Sequence, residues 1–335
     1  MKIHLRDYPA YKKNLIGNFY GYSIAYNRII ERLEALGVEN DPEAPIEFSF
    51  CAPSIYRKTP GKTSVLFSMF ESKDIYAEAV PRIREADVLV VPAPFCRDIF
   101  AQFTTKPILI IPLGGEMLPV RDDLPSHSIS PEHPFRFLYL GAFNPRKGWV
   151  ALATAWQKYF AQDPELELYV KTTHQDVQKQ RIFDIGNAKV DGRNVSREEL
   201  VSIYHSAHCF VLPTLGEGWG QSILEAMSAG IPVITTEWSG HLQFANRGNC
   251  TFVPHSLHRS GGDEGVVSSA IDGKFEWAMV RPSDLAQTMM EVMADYQGAL
   301  RKAERAEREI RRYTWDACAS GLVTLFQRLY RNEKP

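Results

Sequence analysis

The chain has 335 residues, of which 44% are hydrophobic and 23% are charged, and its formal net charge at pH 7 is −2. A chain of this length predicts two domains or one large domain, with enough apolar residues for sizeable cores. The nearly balanced charge argues against a protein that binds nucleic acid or an acidic membrane through overall positive charge. No apolar run approaches the roughly 20 residues that a membrane-spanning helix needs.

The sequence begins with a strand-like segment at residues 2–5 and shows no secretory signal pattern. We therefore expect a cytoplasmic protein, with a peripheral position at the inner membrane face as the alternative. The five cysteines are scattered, and no two of them form a Cys-x-x-Cys pair. Such cysteines are typical of reduced, buried side chains in an intracellular protein.

Short apolar runs alternate with helical patterns in the first third of the chain. The predicted strands are residues 2–5, 47–51, 64–70, 87–91 and 107–113, and residues 22–36 are predicted to form a helix. Some of these runs are apolar throughout, which is typical of strands buried on both faces of a parallel sheet. A glycine-bearing segment with Gly17 and Gly21 lies between the first strand and the first helix.

The same alternation continues in the second part of the chain. Here the predicted strands are residues 135–140, 166–171, 209–212 and 232–235, with helices at residues 148–160 and 197–205. The charged tail, residues 300–330, is also helical in pattern. Alternating strands and helices predict a doubly wound α/β architecture. A polar, proline-bearing stretch at residues 125–134 is interpreted as a linker.

Residues 216–232 read GEGWGQSILEAMSAGIP and follow an apolar strand-like segment. Gly218 and Gly220 stand just before the helix-like part of this stretch. Glycines allow a ligand to approach the backbone closely, and a helix N-terminus offers unpaired N–H groups with a partial positive charge. The order of strand, glycine turn and helix therefore predicts a site for a phosphate or diphosphate.

Three cations come at the carboxyl ends of predicted strands. Arg146 and Lys147 follow strand 135–140, and Lys171 ends strand 166–171. Open α/β sheets bind their ligands at this edge, so these cations would face the ligand crevice. For each cation, the alternative is an ordinary charge in a solvated loop.

Two glutamates, Glu217 and Glu225, frame the glycine turn, and residues 224–234 read LEAMSAGIPVI. This pattern resembles the donor-site signature of the retaining glycosyltransferases of the GT-B fold, family four. The resemblance implies two Rossmann-like, doubly wound domains that face a cleft, with a C-terminal helix that crosses back to the N-terminal domain. The implied domains are an acceptor-side domain 1–124, the linker 125–134, a nucleotide-sugar donor domain 135–312 and the returning helix 313–335.

The resemblance also implies a role for each matched residue. Arg146 and Lys147 would hold the donor diphosphate, Glu225 would accept hydrogen bonds from the ribose hydroxyls, and Glu217 would act on the sugar by binding and electrostatics. The implied catalytic residues are Glu217, Arg146 and Lys147. The implied donor-binding residues are Glu225, Gly218, Trp219, Gly220, Gln221, Ser222, Ile223, Lys171, Asn194, Gly17 and Gly21.

The function implied by the resemblance is retaining transfer of a sugar from a UDP- or GDP-sugar to a hydroxyl acceptor, without cofactor or metal. The sequence contains no Asp-x-Asp motif. The acceptor would be a glycan, a lipid-linked molecule or modified nucleic acid. Arg57, Lys58 and Lys62 would favour an anionic acceptor if they lay beside it, and the alternative is a solvated loop. An epimerase, a sugar phosphorylase and a non-catalytic sugar-nucleotide binding protein stay open as other functions.

Overall fold

The computed structural model describes residues 1–7, 20–121, 129–173, 185–259 and 275–334. The chain divides into two compact units. Unit 1 contains residues 1–116, 217–221 and 312–335, and unit 2 contains residues 117–216 and 222–311.

Unit 1 is built on a six-stranded parallel sheet with the strand order β2-β1-β3-β4-β5-β6. The strands are β1 (Lys2–Leu5), β2 (Glu39–Asn40), β3 (Ile46–Phe50), β4 (Thr63–Phe67), β5 (Val88–Val91) and β6 (Ile108–Ile110). The helices of its N-terminal part are α1 (Tyr20–Ala35), α2 (Ala79–Glu85) and α3 (Pro94–Phe100). Every residue of β3 and β5 is buried, as expected for central strands of a sheet covered on both faces.

Unit 2 carries a second parallel sheet of six strands in the order β12-β11-β10-β7-β8-β9. Its strands are β7 (Phe135–Leu140), β8 (Leu166–Lys171), β9 (Lys189–Asp191), β10 (Cys209–Leu212), β11 (Val233–Thr236) and β12 (Thr251–Val253). An antiparallel hairpin follows, with β13 (Ser256–Arg259) and β14 (Glu276–Met279). The helices that follow α3 along the chain are α4 (Trp149–Tyr159), α5 (Arg197–His205), α6 (Gln221–Ser228), α7 (Pro282–Ala294), α8 (Tyr296–Ile310) and α9 (Trp315–Tyr330).

The order of strands in unit 2 reverses between β7 and β10. From β7 the chain adds β8 and β9 on one side of the sheet, and from β10 it adds β11 and β12 on the other. The loops that leave the carboxyl ends of β7 and β10 therefore start side by side. Ligands of open α/β sheets bind at such a switch point.

The last helix, α9, packs within unit 1. Phe326 of α9 meets Phe48 of β3 edge to face, with 5.6 Å between the ring centroids. Thr314 caps α9 by accepting a hydrogen bond from the Ala317 N–H at 3.1 Å. This cap separates α9 from α8, so the continuous helical pattern of residues 300–330 is divided into two helices.

The α/β fold predicted from the sequence is confirmed. Each predicted strand is present, with ends that differ by at most about three residues, the usual uncertainty of such boundaries. All five cysteines are free and buried, as expected. Among the described residues, no helix has the length and apolar character to cross a membrane.

Candidate functional site

The loop after β7 contains a 3-10 turn at Pro145–Lys147, which presents both predicted cations. The Asn144 side chain caps this turn by accepting a hydrogen bond from the Arg146 N–H at 3.0 Å. Gly148 closes the turn with a φ of +71°, and a Cβ at this position would lie 1.9 Å from the carbonyl oxygen of Pro213. Only glycine therefore allows this close approach between the loops that follow β7 and β10.

Hydrogen bonds join the same two loops directly. The carbonyl oxygen of Arg146 accepts from the Leu215 N–H at 2.7 Å and from the Thr214 hydroxyl at 3.1 Å. In return, the Arg146 guanidinium donates to the carbonyl oxygen of Gly216 at 2.6 Å. Arg146 thus fixes the loop after β10, and Lys147, which is also half-buried, occupies the next position of the turn.

Glu225 lies in the second turn of α6 and is partly exposed. The hydroxyl of Tyr204, from α5, donates a hydrogen bond to Glu225 Oε2 at 2.9 Å. Burial, and then the neighbouring Glu225 carboxylate, raise the pKa of Tyr204 well above its usual value. Tyr204 therefore stays neutral and remains a donor toward this carboxylate.

The glycine turn, residues 217–221, belongs to unit 1. Glu217 and Trp219 are both buried, and the Trp219 ring meets the Tyr313 ring edge to face at 5.6 Å. The structure thus encloses the Glu217 side chain instead of leaving it in a solvated loop.

Gly218 is closely surrounded by residues of unit 1. A Cβ at Gly218 would lie 2.8 Å from the side chain of Met69, which follows β4. The Cys96 thiol of α3 is 3.6 Å from the carbonyl oxygen of Gly218, and burial raises the pKa of Cys96 to about 12. The thiol is thus a neutral neighbour of the turn, and Gly218 has no room for a side chain unless Met69 moves.

The predicted donor residues at the start of α6 differ in how deeply they are buried. Gly220 adopts a φ of +96°, a left-handed conformation that favours glycine. Ile223 is fully buried, so its side chain belongs to the core and it can meet a ligand only through its backbone. Gln221 and Ser222 are half-buried, and the Ser222 carbonyl lies 3.4 Å from the Tyr204 hydroxyl.

Lys171 is buried, and its ammonium group is directed at the protein backbone. It donates to the carbonyl oxygens of Thr172 at 3.3 Å, Asp191 at 3.2 Å and Arg193 at 2.5 Å. Burial lowers the pKa of Lys171, and the Asp191 carboxylate, 3.9 Å away, opposes this effect. These contacts use all three N–H donors of the ammonium, which gives Lys171 a structural role at the ends of β8 and β9.

We expect Lys171→Ala to destabilise the fold without weakening nucleotide binding. The substitution leaves buried carbonyl groups without their donor, at a cost of about 1–3 kcal/mol. The melting temperature of the variant should therefore fall, while its nucleotide affinity, measured by calorimetry below that temperature, stays within about twofold of wild type. A loss of affinity of tenfold or more would instead support the predicted phosphate contact.

The remaining predicted donor residues are Asn194, Gly21 and Gly17. Asn194 is exposed in the loop before α5, whose N-terminus carries the predicted capping box of Ser196 and Glu199. Gly21 lies in the first turn of α1, with no atom within 4 Å of a Cβ placed on it. Gly17 lies outside the described residues.

The three basic residues considered for an anionic acceptor have partners within unit 1. The Arg57 guanidinium donates to the carbonyl oxygens of Ser54 and Tyr56. Lys58 pairs with Asp87, with 2.5 Å between Nζ and Oδ2. Lys62 Nζ is 3.3 Å from His4 Nδ1 and donates to the Pro42 carbonyl. These contacts favour a structural role for the segment over acceptor binding.

Sequence reasoning missed three residues at or near this edge. Tyr204 contacts Glu225, and Thr214 links the two loops, yet neither residue belongs to a motif. Ser239, after β11, has a φ of +82°, a strained conformation for a residue with a side chain. Of these three residues, only Tyr204 offered a signal in the sequence. A tyrosine at a buried position of a helix needs a hydrogen-bond partner for its hydroxyl.

Residues 134–258 match the family model described as Glycosyl transferases group 1. A D-inositol 3-phosphate glycosyltransferase of Corynebacterium urealyticum is 30% identical over 132 residues, which are 39% of this chain and 26% of that protein. A protein of the same description from Corynebacterium glutamicum is 25% identical over 215 residues, 61% of this chain and 46% of that protein. The chain thus spans less than half of the length of these curated relatives.

Solved structures resemble the chain over nearly its whole length. Sucrose-phosphate synthase from Thermosynechococcus elongatus gives a TM-score of 0.65 at 18% identity and covers 95% of this chain and 81% of its own. HepE of Anabaena, in complex with UDP and glucose, gives a TM-score of 0.63 at 14% identity. This match covers 98% of this chain and 99% of the HepE chain. At these identities the likeness shows the fold alone, and that fold is GT-B, as predicted.

Proposed function

We propose that the chain is a retaining, metal-independent glycosyltransferase, on the basis of its GT-B fold and of the match of residues 134–258 to the glycosyl transferases group 1 model. The donor is a UDP- or GDP-linked sugar, and the acceptor is a hydroxyl group of a glycan, a lipid-linked molecule or modified nucleic acid. A structural neighbour that holds UDP and glucose supports the choice of donor class.

The observation that carries this proposal is the arrangement at the switch point of the second sheet. The loop with Lys147 is joined to the loop after β10 by the contacts of Arg146, and Glu225 follows in the next helix. A cation and a carboxylate at this edge suit the two halves of a nucleoside diphosphate. The ammonium meets the phosphate charge, and the carboxylate accepts from the ribose hydroxyls.

In the proposed reaction, the bond between the sugar C1 and the diphosphate oxygen breaks as the bond between C1 and the acceptor oxygen forms on the same face. The electron pair of the broken bond stays on the diphosphate, where Lys147 stabilises it. The acceptor proton passes to that leaving phosphate oxygen, so no covalent sugar–enzyme intermediate is needed. Glu217 stabilises the positive charge that develops on the sugar ring.

The stereochemistry of the product tests this proposal. NMR of the first product formed from an α-linked UDP- or GDP-sugar should show an α-anomer, and treatment with EDTA should leave the rate unchanged. A β-anomer would contradict the retaining mechanism, and complete loss of the rate in EDTA would contradict the metal-independent one. Formation of an epimerised nucleotide-sugar without any acceptor would point to the epimerase alternative.

Glu225→Ala is expected to weaken nucleotide binding by at least about tenfold. The variant loses one or two hydrogen bonds to a charged group, each worth about 1.5–3 kcal/mol. Isothermal titration with UDP and GDP measures this effect. Glu291→Ala removes an exposed carboxylate of α7 and serves as the matched control, with unchanged affinity expected. Equal affinities of wild type and Glu225→Ala would remove the ribose role from Glu225.

A further inference from the structure

Tyr204 is a fully buried phenol whose hydroxyl touches the carboxylate assigned above to the donor ribose. Its ring packs at 6.1 Å from the Phe210 ring of β10. The helix that carries it, α5, is fixed at its start by the capping box of Ser196 and Glu199. Rigid surroundings of this kind hold the hydroxyl at a defined point beside α6.

The Tyr204 hydroxyl has two acceptors within reach and one proton to donate. Glu225 Oε2 lies at 2.9 Å, whereas the carbonyl oxygen of Ser222 lies at 3.4 Å. Hydrogen bonds to a charged oxygen are shorter and stronger than neutral ones, so the proton goes to the carboxylate. The hydrogen bond therefore restrains the carboxylate of a side chain that is itself only partly buried.

We propose that Tyr204 is a positioning residue for ribonucleotide recognition, which holds the Glu225 carboxylate in the orientation that receives the ribose hydroxyls. This inference rests on the proposed function of Glu225. Without Tyr204, Glu225 keeps its charge but samples several side-chain rotamers, and binding must then select one of them. The cost of that selection appears as lost affinity for ligands that carry ribose hydroxyls, and for no others.

The test compares Tyr204→Phe with wild type by isothermal titration, using UDP and GDP and their 2′,3′-dideoxy counterparts. We expect the variant to bind the preferred ribonucleotide roughly tenfold more weakly, the effect of about one hydrogen bond to a charged group. Its affinity for the dideoxy ligand should stay within twofold of wild type. Equal weakening toward both ligands would reveal a purely structural role and overturn the inference, as would unchanged affinity for both.

A double-mutant cycle with Glu225→Ala provides a second measurement. In the Glu225→Ala background, Tyr204→Phe should have no further effect on ribonucleotide affinity, because the carboxylate that it positions is gone. Additive losses would overturn the inference. Should Tyr204→Phe fail to fold, Tyr204→Met is a second hydroxyl-free variant for which the same pattern is expected.

The failure of this inference is distinguishable from the failure of the proposed function. If wild type binds neither UDP nor GDP, the proposed function fails and the role of Tyr204 fails with it. If wild type binds one of them, Glu225→Ala weakens that binding and Tyr204→Phe does not, only the positioning role is overturned.

Discussion

Replacement of Lys147 by alanine is expected to lower kcat about 100- to 1,000-fold, the effect typical of removing one preorganised group that stabilises transition-state charge. Lys147 ends the 3-10 turn after β7, at the switch point of the second sheet. Negative charge on the diphosphate grows as the sugar leaves, so the ammonium gains more interaction in the transition state than in the ground state.

The prediction for Lys147 is tested by measuring kcat and donor affinity separately. Affinity for the nucleotide-sugar should fall much less than kcat, and Lys158→Ala, at the exposed end of α4, is the matched control with wild-type kinetics. A variant with unchanged kcat and a raised KM would mean that Lys147 binds ground state and transition state equally.

Gly148→Ala is expected to cause the largest loss of stability among single glycine substitutions at the site. The left-handed φ of +71° costs about 1–2 kcal/mol for any residue with a Cβ. In addition, the new Cβ would lie 1.9 Å from the Pro213 carbonyl oxygen, so the loops after β7 and β10 must separate. Their separation breaks the contacts of Arg146 with Leu215 and Gly216.

Gly37→Ala is the matched control for this effect, because Gly37 has a φ of +78° but no atom within 4 Å of an added Cβ. The control therefore measures the backbone cost alone. Thermal unfolding should show a clearly larger drop in melting temperature for Gly148→Ala, accompanied by loss of nucleotide binding. Equal drops for both variants would contradict the close approach of the two loops.

The sequence was sufficient to predict the two α/β sheets because each contains a central strand that is apolar throughout. Such runs, for example Val88–Val91, clearly indicate buried strands when helical patterns separate them. The edge strands Glu39–Asn40, Lys189–Asp191 and Thr251–Val253 escaped prediction, as did both strands of the hairpin. These edge strands have only two or three residues, too few for a recognisable pattern, so their structure depends on the neighbouring strand.

Prediction of the candidate site was less complete, since motifs identify residues but not their partners. Lys171 was predicted to contact a donor phosphate, with an ordinary surface charge as the alternative, and its ammonium donates to three backbone carbonyls. Tyr204 was not singled out, because its contact with Glu225 joins two helices that are separate in sequence. Both features depend on tertiary packing between elements.

The edge formed after β7 and β10 is proposed to bind a nucleoside diphosphate. The most direct test is the change in melting temperature of wild type and Glu225→Ala when UDP, GDP, ADP, CDP and their sugars are added in excess. We expect a clear rise in melting temperature for wild type with a UDP or GDP ligand, and a much smaller rise for the variant at the same concentration. No rise with any of these ligands would contradict this proposal.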